Sequence, residues 1–330
     1  MKAMRNGAVC GINKPISRLI QGTEMFKSWE PEVAIALLDA VFALGCTAFD
    51  TAHSYGDGHC ERILGRWLAN RGNRNRVVII SKGAHPNADR KRVTPFDIAS
   101  DLHVSLARMG VDCIDLYLLH RDDPSVPVGP IMEALNEHLQ AGRVRAIGAS
   151  NWTHLRIQEA NAYAERNGLV PFGATSPNFS LTEQREPPWE GSLSITGVNM
   201  AAARQWYAAT QMPVFSWATL SLGFLSGRIS RTSVEAGSDS LCLRSFGTEE
   251  NFRRLDRAAQ MGKEKGLTVP QVAIAYVMSQ PLNLFPIIAS ASAEEFKANR
   301  DATDLSLTSE EVAWLNLESN RPNAESMTPL

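Results

Sequence analysis

Four polar residues lie where short apolar runs of the chain end: Asp50, Lys82, His120 and Asn151. The runs are, in the same order, Cys46–Phe49, Val77–Ile80, Ile114–Leu119 and Val144–Ala149. Such runs are typical of parallel strands covered on both faces, because these strands lose the polar alternation of an exposed strand. Successive strands would then bring one polar side chain each to the same end of a sheet. In a closed α/β barrel, that end carries the chemistry.

Tyr55, close behind Asp50 in the segment FDTAHSYG, indicates which chemistry this is. A tyrosine hydroxyl has an ordinary pKa of about 10, which is too high for efficient proton exchange at neutral pH. A neighbouring ammonium lowers that pKa, and a carboxylate holds the ammonium in place. Lys82 and Asp50 suit these two tasks, and the imidazole of His120 could hold a substrate carbonyl. The set predicts an acid/base centre that reduces a carbonyl with hydride supplied from elsewhere.

The rest of the chain predicts a scaffold that brings these residues together. Strand-like runs alternate with amphipathic helical stretches, which is the pattern of βαβ units and a parallel sheet. The predicted strands are Arg18–Gly22, Thr47–Asp50, Val77–Ser81, Cys113–His120, Arg145–Ser150, Phe172–Ser176, Pro213–Trp217 and Leu284–Ala289. We expect a (β/α)8 TIM barrel over residues 16–330, as one domain that includes the C-terminal helices. Residues 1–15 are expected to cap the opposite end of the barrel.

Helix and loop assignments complete this prediction. The helix Glu32–Leu44 is expected to present one apolar face made of Val33, Leu37, Leu38 and Val41. Two segments, Glu183–Thr196 and Gly227–Gly247, are too irregular for a helix or a strand. Connections of that length in a compact fold are usually functional loops. We therefore expect long irregular loops at the C-terminal face of the barrel.

Composition narrows the class of protein. The 330 residues carry a formal charge of −2, which does not indicate a nucleic acid or a membrane as partner. No signal peptide and no spanning segment is visible near the N-terminus or elsewhere. Five scattered cysteines argue against disulfides and a zinc site, and the histidines show neither HxH nor HExxH spacing. We expect a cytoplasmic protein without a catalytic metal. Because the chain has no GxGxxG motif, loops of the barrel, and not a Rossmann turn, would hold any dinucleotide.

Six segments occur in one order along the chain: FDTAHSYG, IISKG, IDLYLLHRDDP, AGRVRAIGASNW, PNFSL and LGFLSGR. Together they resemble the aldo-keto reductase superfamily, from about Ile16 to about Leu317. The resemblance implies the same barrel and a nicotinamide-dependent reduction of an aldehyde or ketone to an alcohol, or the reverse oxidation. By position it makes Tyr55 the proton donor and His120 the group that orients the carbonyl. Lys82 and Asp50 become the groups that tune Tyr55.

The same resemblance implies the contacts to the cofactor. Ser150 and Asn151 match the pair that holds the nicotinamide carboxamide, with Ser176 at the position of a usual glutamine. Trp217 stands where an aromatic ring, usually tyrosine, stacks on the nicotinamide. The other implied contacts are Gly22, Thr23 and Asp50 near the first strands, and Ala289, Ser290, Glu295 and Asn299 around the adenosine pyrophosphate and ribose.

The resemblance favours NADPH/NADP+ as cofactor, with NADH/NAD+ as the alternative. A 2′-phosphate needs cations, and the turn from Ala289 to Ser292 supplies none. Glu295 falls near a position that often holds arginine in the family. Lys297 and Arg300 are the residues that could compensate.

Other questions stay open from the sequence. A cofactor-sensing barrel like the potassium-channel β subunits is the alternative to an enzyme, although the intact set of four residues favours the enzyme. The substrate would be a small carbonyl or alcohol, and it could be sugar-like because of four polar loop residues: His53, Arg121, Asp122 and Asn178. Four loop residues could either line a substrate pocket or pack against neighbouring side chains: Phe26, Trp29, His53 and Trp152. Trp189 and Trp206 are expected to pack.

Overall fold

The computed structural model describes residues 4–231 and 240–320, and its centre is a closed barrel of eight strands. The chain begins with a short antiparallel pair, β1 (Asn6–Gly7) and β2 (Ile16–Ser17). The barrel strands are β3 (Ile20–Gly22), β4 (Ala48–Asp50), β5 (Val78–Gly83), β6 (Ile114–Leu119), β7 (Val144–Ser150), β8 (Ala174–Ser176), β9 (Val214–Ser216) and β10 (Leu284–Ile288). Each pairs in parallel with the next, and β10 closes the ring on β3. The predicted (β/α)8 barrel is confirmed.

Helices follow the barrel strands on the outside. Within the described residues they are Pro31–Ala43, His59–Arg71, Pro95–Met109, Val128–Gln140, His154–Arg166, Ala201–Thr210, Leu241–Phe246, Glu249–Lys265, Val269–Met278, Ala293–Ala302 and Ser309–Leu315. Four of these helices begin after a threonine whose side chain accepts a hydrogen bond from a first-turn amide: Thr94, Thr153, Thr248 and Thr308. Such caps satisfy amides that have no partner inside the helix, which fixes where the helix starts.

Two sequence expectations about helices are wrong. The segment from Gly227 to Gly247 contains the helix Leu241–Phe246, which Ser240 caps and which buries Leu243 and Phe246. Val33 is 56% exposed, whereas Leu37, Leu38 and Val41 are buried as expected. The helix Pro31–Ala43 is apolar over most of its circumference, so its sequence pattern does not determine which side faces the barrel.

Apolar side chains fill the barrel interior, and residues of the N-terminal segment extend this apolar core. Val9 and Ile12 are buried in the same cluster as interior residues such as Ile20, Phe215 and Phe285. Gly7 lies against Phe285, near the start of β10, where an added Cβ would come within 2.5 Å of the ring. We infer that this segment covers the end of the barrel at which the strands begin. The division into a cap and one barrel domain stays a prediction.

Among residues 4–231 and 240–320, no helix combines the length and the apolar character that crossing a membrane requires.

Candidate active site

A cavity of about 1140 Å³ lies where the barrel strands end. The last or next-to-last residues of five strands contribute to its wall: Gly22 of β3, Asp50 of β4, Lys82 of β5, Ser150 of β7 and Ile288 of β10. The loops and helices that follow the strands supply the rest. Strand ends on this face of an α/β barrel are the usual position of a catalytic site, so this cavity is the candidate active site.

Asp50, Tyr55 and Lys82 form a hydrogen-bonded cluster in the cavity wall, in which Asp50 and Lys82 are buried and Tyr55 is half-buried. The Lys82 ammonium donates to the Asp50 carboxylate at 2.5 Å, to the Thr51 carbonyl at 3.1 Å and to the Tyr55 hydroxyl at 3.2 Å. Asp50 and Lys82 meet because β4 and β5 are adjacent in the barrel. The ion pair compensates two charges that would otherwise be costly to bury. One ammonium therefore connects the carboxylate with the phenol, as the sequence analysis expected.

Tyr55 reaches this cluster through a tight turn after β4. The turn Tyr55–Gly58 has positive φ at Gly56 and Gly58, which glycine adopts without steric cost. An added Cβ on Gly58 would also lie 2.4 Å from the guanidinium of Arg108. The YGDG sequence thus permits the sharp reversal that points the phenol back toward Lys82.

The electrostatics of Tyr55 differ from the sequence expectation. Burial raises the pKa of Tyr55 to about 12, and the attraction of the Lys82 ammonium only partly opposes this rise. For Lys82, burial alone would lower the pKa, but Asp50 and Tyr55 together raise it above its ordinary value. The expected lowering of the Tyr55 pKa is therefore wrong for the protein alone, because desolvation of the phenolate outweighs the charge beside it.

His120 completes the group of reactive side chains. Its ring lies edge-on to Tyr55, with 5.7 Å between ring centroids, and 4.8 Å from His85. Burial, reinforced by the charges of Lys82, Arg121 and His85, lowers the pKa of His120 well below its usual value. Its Nδ1 is buried and has no hydrogen-bond partner among the described residues. His120 is therefore a neutral imidazole at the cavity wall, able to hold an oxygen atom.

The residues expected to contact a cofactor divide into two groups. Most line the cavity together with the reactive cluster: Gly22, Ser150, Asn151, Trp217, Ala289, Ser290, Glu295 and Asn299. Thr23 and Ser176 do not line it and are fully buried. The Ser176 hydroxyl donates to the Phe215 carbonyl, and the Thr23 amide donates to the Asp50 carbonyl. These two residues support the cavity wall from behind.

Asn151 and Trp217 contact each other directly. The Trp217 indole N–H donates to Asn151 Oδ1 at 3.0 Å, and the same oxygen accepts from the Leu193 amide at 3.0 Å. The Asn151 Nδ2 donates to the His120 carbonyl and to the Ser150 hydroxyl. Because an asparagine amide has two acceptor sites and two donors, Asn151 has no capacity left for another group in this arrangement.

The sequence of this chain is similar to those of known proteins. The model of the Aldo/keto reductase family matches residues 18–316. The chain belongs to this family. It is 28% identical over 315 residues to the uncharacterized oxidoreductase YrpG of Bacillus subtilis (strain 168), covering 91% of both chains. It is 27% identical to the aldo-keto reductase yakc of Schizosaccharomyces pombe, whose name includes NADP(+), over 86% of this chain and 82% of that protein. Norsolorinic acid reductase stcV of Emericella nidulans is 27% identical, over 85% of this chain and 70% of that protein.

The family match makes the protein an oxidoreductase and agrees with the barrel and with the motifs read from the sequence. Within the described residues no group of three or more His, Cys, Asp or Glu side chains is arranged to hold a metal ion.

The cavity wall of this aldo-keto reductase includes residues that the sequence did not place there, among them His85 and Trp189. His85 lies two residues after β5 and lines the cavity beside His120, and its position just after a strand could have revealed it. Trp189, expected to pack, lines the cavity and lies 5.8 Å from the Trp217 ring while 44% exposed. No sequence signal marks Trp189, because it lies in the middle of an irregular segment.

The weaker sequence candidates mostly lie away from the cavity. Phe26 and Trp152 are fully buried, Trp29 packs against Phe26, and none of the three lines the cavity. Trp206 packs on Tyr207, as expected. Of the four polar residues that suggested a sugar-like substrate, Arg121 alone lines the cavity. The other three are His53, Asp122 and Asn178.

Proposed function

We propose that this protein is an NAD(P)H-dependent aldo-keto reductase that reduces an aldehyde or ketone to an alcohol, or catalyses the reverse oxidation. One observation carries the proposal: the Tyr55 hydroxyl lies 3.2 Å from the Lys82 ammonium in the wall of a cavity that His120 also lines. A carbonyl oxygen between Tyr55 and His120 would meet a proton donor and a neutral imidazole together. Such convergence of titratable groups in a large pocket is typical of catalytic sites.

Each residue has a distinct part in this chemistry. Tyr55, whose pKa is about 12, is protonated at neutral pH and donates its proton to the carbonyl oxygen as the alcohol forms. Lys82 stabilises the phenolate that remains, and Asp50 holds Lys82 in place. His120 donates an N–H to the same oxygen and orients the carbonyl. A reduced nicotinamide dinucleotide, when bound, supplies the hydride.

The residues at the cavity wall suit such a cofactor. A volume of about 1140 Å³ exceeds what a small carbonyl compound needs. The hydroxyl oxygen of Ser290, buried in this wall, has no hydrogen-bond partner among the described residues. It lies just before the helix Ala293–Ala302, whose N-terminal amides suit a diphosphate. We assign Ser290 and Asn299 to the diphosphate and adenosine, and Trp217, Gly22 and Ser150 to the nicotinamide half.

The contacts of two residues suggest a change to the roles implied by family resemblance. Asn151 uses all its hydrogen-bonding capacity on Trp217, Leu193, His120 and Ser150. We propose that Asn151 positions the Trp217 ring. For Ser176 we propose a supporting role, because its hydroxyl is bonded to Phe215.

An activity assay separates an enzyme from the alternative of a cofactor-sensing barrel. Purified protein is mixed with NADPH or NADH and a panel of aldehydes, ketones and keto-sugars, and the reduced-nicotinamide absorbance is followed. We expect turnover with part of the panel. Tight dinucleotide binding without turnover of any carbonyl or alcohol, together with a cofactor-dependent change in partner association, would favour the sensor.

A further inference from the structure

The charge distribution where the cavity meets β10 and the helix after it bears on which dinucleotide is bound. Glu295 lines the cavity in the first turn of the helix Ala293–Ala302. Its Oε2 accepts a hydrogen bond from the Ala291 amide at 2.8 Å. The Glu295 amide in turn donates to the Ser292 hydroxyl, which caps the helix. These contacts hold a carboxylate at this part of the wall.

The two cations that the sequence offered as compensation do not line this cavity. Lys297 is exposed on the same helix, away from the cavity wall. Arg300 is buried, and its guanidinium donates to the Asp301 carboxylate at 2.9 Å and to the Leu44 carbonyl at 3.4 Å. Neither side chain is therefore placed to neutralise a phosphate beside Glu295.

The basic residues that do line the cavity are mostly committed elsewhere. Lys82 pairs with Asp50, and Lys27 pairs with Glu24 at 2.6 Å. His85, His120 and Arg121 lie after β5 and β6, with the reactive groups. The remaining basic residue of the cavity wall is Arg228, which follows β9 in the chain. The sequence of residues 232–239, TSVEAGSD, contains no lysine or arginine.

We propose that this site selects NAD(H) over NADP(H), and that Glu295 is the residue that sets the preference. The proposal rests on the proposed function, because it concerns the dinucleotide of the same cavity. A carboxylate accepts a hydrogen bond from a ribose hydroxyl, as acidic residues do in NAD sites, whereas a 2′-phosphate requires a cation. At this wall a 2′-phosphate would meet the Glu295 carboxylate. In this proposal Arg228, which lines the cavity after β9, is the cation for the diphosphate, a group that both cofactors share.

The test is direct titration of NADH and NADPH into the protein, followed by calorimetry and by tryptophan fluorescence, so that no turnover is needed. We expect NADH to bind on the order of 10-fold more tightly than NADPH, which corresponds to about 1.4 kcal/mol, because the 2′-phosphate would face the Glu295 carboxylate. Glu295→Gln keeps an oxygen for the Ala291 amide but removes the charge. We expect it to bring NADPH affinity close to that of NADH.

Two further variants sharpen this test. Glu294→Gln removes a charge from the same turn, at an exposed position that does not line the cavity, and it should leave the NADH/NADPH ratio unchanged. Arg228→Gln should weaken NADH and NADPH by similar factors.

Four outcomes would count against the proposal in distinguishable ways. Tighter binding of NADPH by the unaltered protein would overturn it, as would an unchanged ratio in Glu295→Gln. A selective loss of NADPH in Arg228→Gln would assign the 2′-phosphate to that arginine and overturn it as well. Binding of neither dinucleotide would overturn the proposed function itself.

Discussion

The phenol of Tyr55 is subject to two opposed effects. The ammonium of Lys82, 3.2 Å away, favours the phenolate, while burial favours the neutral phenol and raises the pKa to about 12. A sequence can show that a lysine is available to the tyrosine, but it does not show how far folding removes each of them from water. The balance between desolvation and a nearby charge is therefore a property of the folded site.

This balance predicts different pH profiles for the two reaction directions. Carbonyl reduction needs the protonated phenol, so kcat/KM for reduction should be flat from about pH 6 to pH 9, well below the Tyr55 pKa. Alcohol oxidation needs the phenolate, so kcat/KM for oxidation should rise with pH over the same range, by up to about tenfold per pH unit. His120 should contribute no step near its ordinary pKa, because it is already neutral.

The measurement is the pH dependence of kcat/KM in both directions at saturating cofactor. A reduction rate that falls steeply between about pH 7 and pH 8 would contradict the protonation state assigned to Tyr55.

Some residues of the site could be predicted from the sequence and others could not. Asp50, Lys82 and His120 could, because each lies within one residue of the end of a buried strand, and strand ends on one face of a barrel converge. Thr23 and Ser176, which the family resemblance placed at the cofactor, are fully buried and do not line the cavity. A position in a motif does not reveal how deeply the fold buries that residue.

At the scale of elements, the segment from Glu183 to Thr196 shows how an irregular loop is held in place. The Asn178 amide donates to the Leu193 carbonyl, and the Ile195 amide donates to the Asn178 carbonyl. Arg121 Nε donates to the Glu190 carbonyl at 3.1 Å. These bonds hold the loop across the ends of the strands and place Trp189 beside Trp217. None of these long-range bonds is visible as a local sequence pattern.

We predict that Trp189→Ala affects substrate more than cofactor. The ring lines the cavity near Arg121 and Trp217, so its removal should raise KM for the preferred carbonyl roughly 5- to 30-fold, which corresponds to about 1–2 kcal/mol of ring contact. Dinucleotide affinity should change by less than about 3-fold.

The matched control for Trp189→Ala is Phe96→Ala, which also removes an aromatic ring. Phe96 lies on the helix Pro95–Met109 and is 78% exposed. Steady-state kinetics and fluorescence titration report KM and cofactor affinity for each variant. A KM unchanged across the substrate panel, with weakened dinucleotide binding, would place Trp189 at the cofactor instead.

At the scale of the whole molecule, the barrel keeps its two ends distinct. At the end where the strands begin, the apolar interior of the barrel merges with the N-terminal segment through Val9 and Ile12. The end where the strands finish carries the ion pair, the phenol and the imidazoles. Alternating strands and helices in the sequence were sufficient to predict this barrel. The assignment of Leu241–Phe246 failed because that helix is short and depends on its packing.

The N-terminal segment should contribute to the stability of the whole barrel. Ile12→Ala removes a buried side chain from the interior cluster, and we expect a loss of about 2–4 kcal/mol in the free energy of unfolding. Val33→Ala is the control, because that side chain is 56% exposed and its truncation should cost less than about 0.5 kcal/mol. Urea denaturation followed by circular dichroism measures both variants. Equal midpoints for the two would show that the segment adds nothing to the barrel.

The role of Tyr55 as proton donor is the claim on which the account chiefly depends. Tyr55→Phe removes one hydroxyl and leaves the ring. The control is Tyr163→Phe, because the Tyr163 hydroxyl forms a hydrogen bond with Glu133 on the surface. The decisive measurement is the single-turnover rate of carbonyl reduction with bound cofactor, alongside cofactor affinity. We predict a loss of at least about 100-fold in Tyr55→Phe, as expected for removal of a general acid, with dinucleotide affinity and the control variant unchanged. A Tyr55→Phe rate within about 3-fold of the unaltered protein would contradict the assignment.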